Sequence, residues 1–144
     1  MKNEDTIKLL KECDAGTKTA VNSINQVRDD TQSDGLKQLL QQNLKEHEEI
    51  GNKTHSLLNE YDESGKDPST MARSMSWMTT SMKLMANNTD HTVADLMMDG
   101  CNMGIKKVSE YINKYQDASS ESVDLAKRLI KTEQKFMDEL RVYL

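Results

Sequence analysis

The chain has 144 residues and a net charge of −5, from 19 basic and 24 acidic residues mixed along its length. No run of lysine or arginine is present that would neutralise phosphates, so we do not expect a nucleic-acid partner. The chain contains one proline, one tryptophan and one phenylalanine, and residues that favour strands are scarce. Its length and composition predict one all-α domain over residues 1–144.

The N-terminal segment MKNEDTIKLL lacks the apolar core of an export signal. No window reaches the roughly 18 consecutive apolar residues of a membrane-spanning helix, and no membrane partner is expected. The two cysteines are too far apart and too few for a disulfide framework or a zinc site. We therefore expect a cytoplasmic protein with reduced thiols.

Apolar residues three and four positions apart predict the first two helices, over about residues 4–30 and 34–61. The turn TQSDG separates them, and Ser33 is the predicted N-cap of the second helix. Asn43 and His47 lie on the inward stripe of that helix. The short turn predicts an antiparallel hairpin.

A shorter helix is predicted over about residues 68–87, because Asp67 and Pro68 suit an N-cap and the first helical position. It carries methionines at alternating spacings of four and three: Met71, Met75, Met78, Met82 and Met85. Such a stripe is typical of an apolar face packed on the bundle. Two functional interpretations stand beside this one: a docking surface for a protein partner or a second copy, and capture of Cu(I) by thioethers.

The last two helices are predicted over about residues 90–116 and 119–143, with Ser119 at the start of the second. Four long helices bury their stripes only against one another, which predicts an antiparallel four-helix bundle of two hairpins. Residues 62–88 are too many for a tight turn and suit a crossover that contains the short helix. We expect this crossover to join two parallel neighbouring helices.

The hexapeptides CDAGTK, beginning at Cys13, and CNMGIK, beginning at Cys101, share cysteine, glycine and lysine in one frame. Glycine inside a helix costs about 1 kcal/mol relative to alanine, so another interaction must compensate. Small residues let helix backbones approach closely. We interpret Cys13, Gly16, Cys101 and Gly104 as a helix packing seam, and the alternative is a thiol-based site.

The helix pattern, the crossover and this internal echo resemble the ferritin-like superfamily over the whole chain. The segments DLMMDGCNMGIKKVSEYINKY and LKQLLQQNLKEHEEIGNKTHSLL are similar to small uncharacterised bacterial members and to spore-coat F type proteins. The resemblance implies a ferritin-like bundle and a coat or stress setting. In active members, carboxylates and two Glu-x-x-His pairs hold two iron or manganese ions.

This chain departs from the ligand pattern of active members. The residues three positions before its three histidines are Leu44, Asn52 and Asn88. We therefore expect no intact di-metal site, although Asp14, His47 and Glu133 remain candidate ligands for a single ion. The alternative is a buried polar network in which Asp14 pairs with His47, and Glu133 with Lys18 or Lys106.

These features predict a non-catalytic protein with a structural or protein-interaction role and no cofactor. The expected partner is a second copy or another protein, bound through the methionine-rich helix. Association with a spore coat is an expectation from the resemblance alone. The alternative function is iron or manganese binding at the degenerate core site.

Overall fold

The computed structural model describes residues 2–66 and 89–144, and within these ranges every regular element is helical. The helices are α1 (Lys2–Arg28), α2 (Asp34–Asn59), α3 (Thr89–Lys114) and α4 (Ser120–Leu140), and a short 3-10 helix (Arg141–Tyr143) follows. The prediction of an all-α, four-helix architecture is confirmed. The predicted helix over residues 68–87, with its five methionines, lies outside the described residues.

Side-chain caps mark two of the predicted helix starts, and the third predicted cap, Asp67, lies outside the described residues. The Ser33 hydroxyl accepts a hydrogen bond from the Leu36 amide at the start of α2. The Ser119 hydroxyl accepts one from the Ser122 amide at the start of α4. Both predicted caps are confirmed, because a serine placed before an apolar-periodic run satisfies an amide that the helix leaves free.

Helix α2 ends in a Schellman arrangement. Asp62 adopts a φ of 56°, in the left-handed region. Its amide donates to the Asn59 carbonyl at 3.1 Å, and the Glu63 amide donates to the Leu58 carbonyl at 3.1 Å. This pair of bonds ends a helix by reversing the chain direction, usually with glycine at the left-handed position. The chain therefore turns back towards α1 directly after α2.

The helices pair as two antiparallel hairpins, α1 with α2 and α3 with α4. Helix α3 begins beside the α1–α2 turn, where the Asp90 carboxylate accepts hydrogen bonds from the Gln32 and Ser33 amides. It ends beside the start of α1, where the Asp117 amide donates to Asp5. Helix α3 thus runs parallel to α2 and antiparallel to α1.

The expectation that the crossover joins parallel neighbours is wrong in one respect. Over the described residues α1 packs against α3 and α2 packs against α4, whereas α2 and α3 lie on a diagonal of the bundle. The sequence indicated the direction of the helices through the lengths of their connections. Which helices became neighbours depended on how the stripes packed in three dimensions.

The interior has two apolar clusters with a polar layer between them. One cluster surrounds the α1–α2 turn and includes Leu40, Val93 and Phe136. The other lies towards the opposite end of the bundle and includes Leu10 and Leu129. The buried polar side chains between these clusters along their helices are Asp14, Thr17, His47 and Glu133. A buried polar layer is stable only when its members satisfy one another.

Candidate functional site

A buried histidine and a buried glutamate face each other in the polar layer. His47 on α2 is fully buried, and Glu133 on α4 is 7% exposed. The His47 Nε2 atom lies 3.2 Å from Glu133 Oε1, and His47 Nδ1 lies 2.7 Å from the Asn43 carbonyl oxygen. A carbonyl oxygen only accepts, so Nδ1 carries a hydrogen. The Nε2 atom must carry a second hydrogen to donate to the carboxylate.

This geometry explains the protonation of His47. Burial by itself lowers the pKa of His47, but the hydrogen bond and charge of Glu133 and the Asn43 carbonyl outweigh it and raise the pKa above its usual value. Both ring nitrogens face acceptors, so the geometry favours an imidazolium paired with the Glu133 carboxylate, and such a pair carries no net charge. Because a metal binds only neutral imidazole, metal binding here would release a proton.

Helix α3 supplies the remaining surroundings of the Glu133 carboxylate. A Cβ atom at Gly104 would lie 3.3 Å from Glu133 Oε1, so the glycine leaves room for the carboxylate against the α3 backbone. Burial, the Glu133 charge and a hydrogen bond to Glu133 raise the pKa of the Cys101 thiol. The thiol stays protonated and donates weakly to the carboxylate.

Asp14 belongs to a second cluster and is fully buried. Its Oδ2 atom lies 2.8 Å from Lys18 Nζ and accepts the Lys66 amide at 2.9 Å. Its Oδ1 atom lies 2.7 Å from His55 Nε2, an ion-pair distance without the alignment of a hydrogen bond. The structure thus pairs Asp14 with His55 instead of with His47, and it pairs Glu133 with His47 instead of with a lysine.

The Asp14 cluster holds the end of the described segment after α2 on the surface of α1. A Cβ atom at Gly65 would overlap Asp14 Oδ2, so only glycine lets the backbone approach this closely. The Lys66 ammonium pairs with Glu12, and Lys11 pairs with Glu63 at 3.0 Å. Sequence reasoning missed this contact, although a glycine in ESGK and an inward carboxylate on α1 were its two signals.

The predicted ligands Asp14, His47 and Glu133 do not form one site. Among residues 2–66 and 89–144, no three histidine, cysteine, aspartate or glutamate side chains are grouped to hold a metal ion. The structure brings His47 and Glu133 together, and it engages both oxygens of Asp14 elsewhere. Two ligands are fewer than transition-metal sites in proteins use.

The two cysteines of the predicted packing seam lie in different apolar clusters. Cys101 lies in the cluster near the α1–α2 turn, and Cys13 lies in the other. A Cβ atom at Gly16 would meet only Leu129 Cδ2, at an ordinary 3.7 Å, among the described residues. Burial and the charges of Glu12 and Asp14 raise the pKa of Cys13 to about 12. Neither thiol has the lowered pKa of a reactive cysteine.

A cavity of about 500 Å³ opens between α1 and α3, within the part of the chain that is described. Its wall is mainly apolar, and it includes Leu96, Leu129 and Phe136. His47 and Glu133 line its interior, so the polar layer borders on this cavity. The cavity is therefore a candidate binding site whose wall contains the His47–Glu133 pair and two further acidic residues, Glu12 and Asp99.

Comparison with models of known families, with curated proteins and with solved structures finds no match to this chain. Along the two described ranges, none of the helices combines the length and apolar character needed to cross a bilayer. The likeness to ferritin-like proteins thus depends on the sequence pattern.

Proposed function

We propose that this chain is a ferritin-like bundle without an intact di-metal site, with a non-catalytic structural or protein-interaction role. The observation that carries the proposal is the mutual pairing of the buried ionisable groups. His47 pairs with Glu133, and Asp14 pairs with Lys18 and His55. Groups that neutralise one another can remain in a buried layer without a ligand or a substrate, which suits a scaffold.

The ferritin-like assignment is supported by the hairpin arrangement. Two antiparallel hairpins whose α2 and α3 run parallel on a diagonal need a long connection between them, as ferritin-like bundles have. The absence of Glu-x-x-His from the sequence supports a member that has lost the di-metal centre. The coat or stress setting is supported by the sequence resemblance.

Self-association through the methionine stripe is the part of the proposal that is tested first. Sedimentation velocity would compare the wild type with the Met75→Glu/Met82→Glu variant, and an Asn102→Glu variant serves as control because Asn102 is exposed on α3. We expect an oligomer that only the methionine variant dissociates, with helicity unchanged by circular dichroism. A monomeric wild type would contradict self-association. An oligomer that does not dissociate in the methionine variant would show that the methionine stripe is not its interface.

The second candidate function is iron or manganese binding, and the adjacency of His47 and Glu133 favours it. An imidazole and a carboxylate 3.2 Å apart are two of the ligands that these ions use, once His47 has lost its proton. Asp14 would have to leave Lys18 to become the third ligand. His47 and Glu133 thus lie side by side, whereas Asp14 is engaged with Lys18 and His55.

Elemental analysis separates the two functions. The purified chain would be incubated with Fe(II), Mn(II) or Cu(I), desalted and analysed beside the His47→Ala/Glu133→Ala variant. The scaffold role predicts no retained metal in either protein. Retention of about one equivalent of iron or manganese by the wild type alone would establish the metal-binding role instead. Equal retention by both proteins would place the metal elsewhere.

A further inference from the structure

The cavity between α1 and α3 has the size and surface of a small-molecule site. Its volume of about 500 Å³ falls in the range of roughly 300–1,000 Å³ that such sites occupy. Lys and Arg are missing from the described residues that line it, and apolar side chains predominate. Two further acidic residues line it: Glu12, which pairs with Lys66, and the exposed Asp99. The lining therefore disfavours an anion, and its apolar interior favours an uncharged, largely apolar molecule.

Two helix glycines bordering the cavity have no packing role among the described residues. A Cβ atom at Gly100 of α3 would meet no described atom within 4 Å, and one at Gly16 of α1 would make a single ordinary contact. Each glycine costs the helix about 1 kcal/mol relative to alanine. Close approach of helix backbones among the described residues therefore does not account for this cost. Gly100 is exposed, so the absence of a side chain there leaves the mouth of the cavity open.

The ion pair in the wall determines which polar group a ligand would carry. His47 and Glu133 neutralise each other, so a charged ligand would place an uncompensated charge beside them in an apolar cavity. Among the described side chains, the carboxylate's remaining donor is the Cys101 thiol, which donates weakly. A hydroxyl group that donates a hydrogen bond to an ionised carboxylate is a much stronger donor than a thiol.

We propose that the cavity binds a small, neutral, largely apolar molecule with one hydroxyl group, which donates to the Glu133 carboxylate. The apolar body lies against Leu96, Leu129 and Phe136, and the hydroxyl replaces the Cys101 thiol as the second donor to Glu133. This binding is independent of the scaffold role and of metal retention.

Titration with β-naphthol and with naphthalene, followed by the fluorescence of the probes, tests the proposal. We expect saturable binding of β-naphthol at one site per chain, about tenfold tighter than naphthalene because of the charge-assisted hydrogen bond. Glu133→Gln keeps the side-chain size and removes the charge, so it should reduce the difference in affinity between β-naphthol and naphthalene. Absence of saturable binding, or equal affinity for the two probes, would overturn the proposal.

A matched pair of variants locates the site. Gly100→Leu adds a side chain at the cavity wall and should weaken both probes about tenfold, since it fills space that they need. Asn102→Leu introduces the same side chain on the exposed surface of α3, outside the cavity lining, and should leave both affinities within about twofold of the wild type. Circular dichroism would establish that both variants are folded. Unchanged binding in Gly100→Leu would place the probes elsewhere and overturn the assignment.

Discussion

Removing one partner of the buried His47–Glu133 pair should destabilise the protein far more than removing both. Glu133→Leu leaves a fully buried imidazole with no carboxylate beside it, and His47→Leu leaves a buried carboxylate without its imidazolium. The double variant replaces both groups by apolar side chains in an interior that is apolar above and below them. An apolar pair avoids the desolvation of two charges.

The expected size of the effect follows from the geometry. Two unit charges 3.2 Å apart attract by about 5 kcal/mol at an effective dielectric constant near 20. Each single substitution is therefore expected to lower the free energy of unfolding by about 3–5 kcal/mol. The double variant is expected to equal the wild type or to exceed it by up to about 4 kcal/mol.

Urea unfolding of the wild type, both single variants and the double variant measures this coupling, with far-ultraviolet circular dichroism as the readout. The double variant should lose much less free energy of unfolding than the two single variants lose in sum. Additive losses would show that the two side chains do not act as a pair in solution. A small loss in both single variants would show that the layer is hydrated instead of buried.

The pH dependence of stability gives an independent check. In the wild type the folded-state pKa of His47 is raised above 6.5, so its stabilisation is complete below pH 6.5 and is lost as the pH rises through the folded pKa. In Glu133→Leu the hydrogen bond and charge of Glu133 are removed, so burial, the largest effect, is opposed only by the Asn43 carbonyl and Glu46, and the pKa of His47 is expected to fall. The contribution of His47 to the free energy of unfolding then increases as the pH rises towards 6.5. Equal slopes in the two proteins would contradict the assigned pairing.

Three further predictions concern the backbone and the thiols. Asp62→Gly should raise the free energy of unfolding by about 1 kcal/mol, measured in urea, because glycine removes the strain of a left-handed residue. Gly100→Ala should raise the free energy of unfolding by up to about 1 kcal/mol, because alanine has the higher helix propensity. Gly104→Ala should be about 1–3 kcal/mol less stable than Gly100→Ala, because its Cβ atom crowds the Glu133 carboxylate. Equal thermal midpoints of the two variants would contradict this difference. Alkylation of Cys13 and Cys101 at neutral pH, followed by mass spectrometry, should occur only on unfolding, and rapid labelling of the native protein would contradict their raised pKa values.

Local patterns in the sequence predicted most of the secondary structure and of the interior. Apolar periodicity in the last helix predicts an inward stripe, and every member of this stripe is buried: Ala126, Leu129, Glu133, Phe136 and Leu140. The caps at Ser33 and Ser119 were predictable for the same reason, because the periodicity of a helix and the needs of its first turn are encoded within a few residues. These features require no information about neighbouring helices.

The pairing of the polar side chains was not predictable in this way. Asp14 and His47 both lie on inward stripes, and the sequence alone offered no reason to prefer His55, which is half exposed, as the partner of Asp14. The contact depends on the register of α1 against α2 and on the position of residues 63–66. Such registers are set by the packing of whole helix faces, so residue spacing along one helix does not reveal them.

The sequence by itself determined the four described helices, their polarity and the burial of His47 and Glu133, since the stripes that place these two side chains inside have a period of 3.6 residues. Only the tertiary structure decided that α2 and α3 lie on a diagonal, that Glu133 meets His47, and that a cavity opens beside this pair. The physical reason is that distances between side chains on different helices depend on helix register and rotation. These quantities follow from the packing of all four helices together.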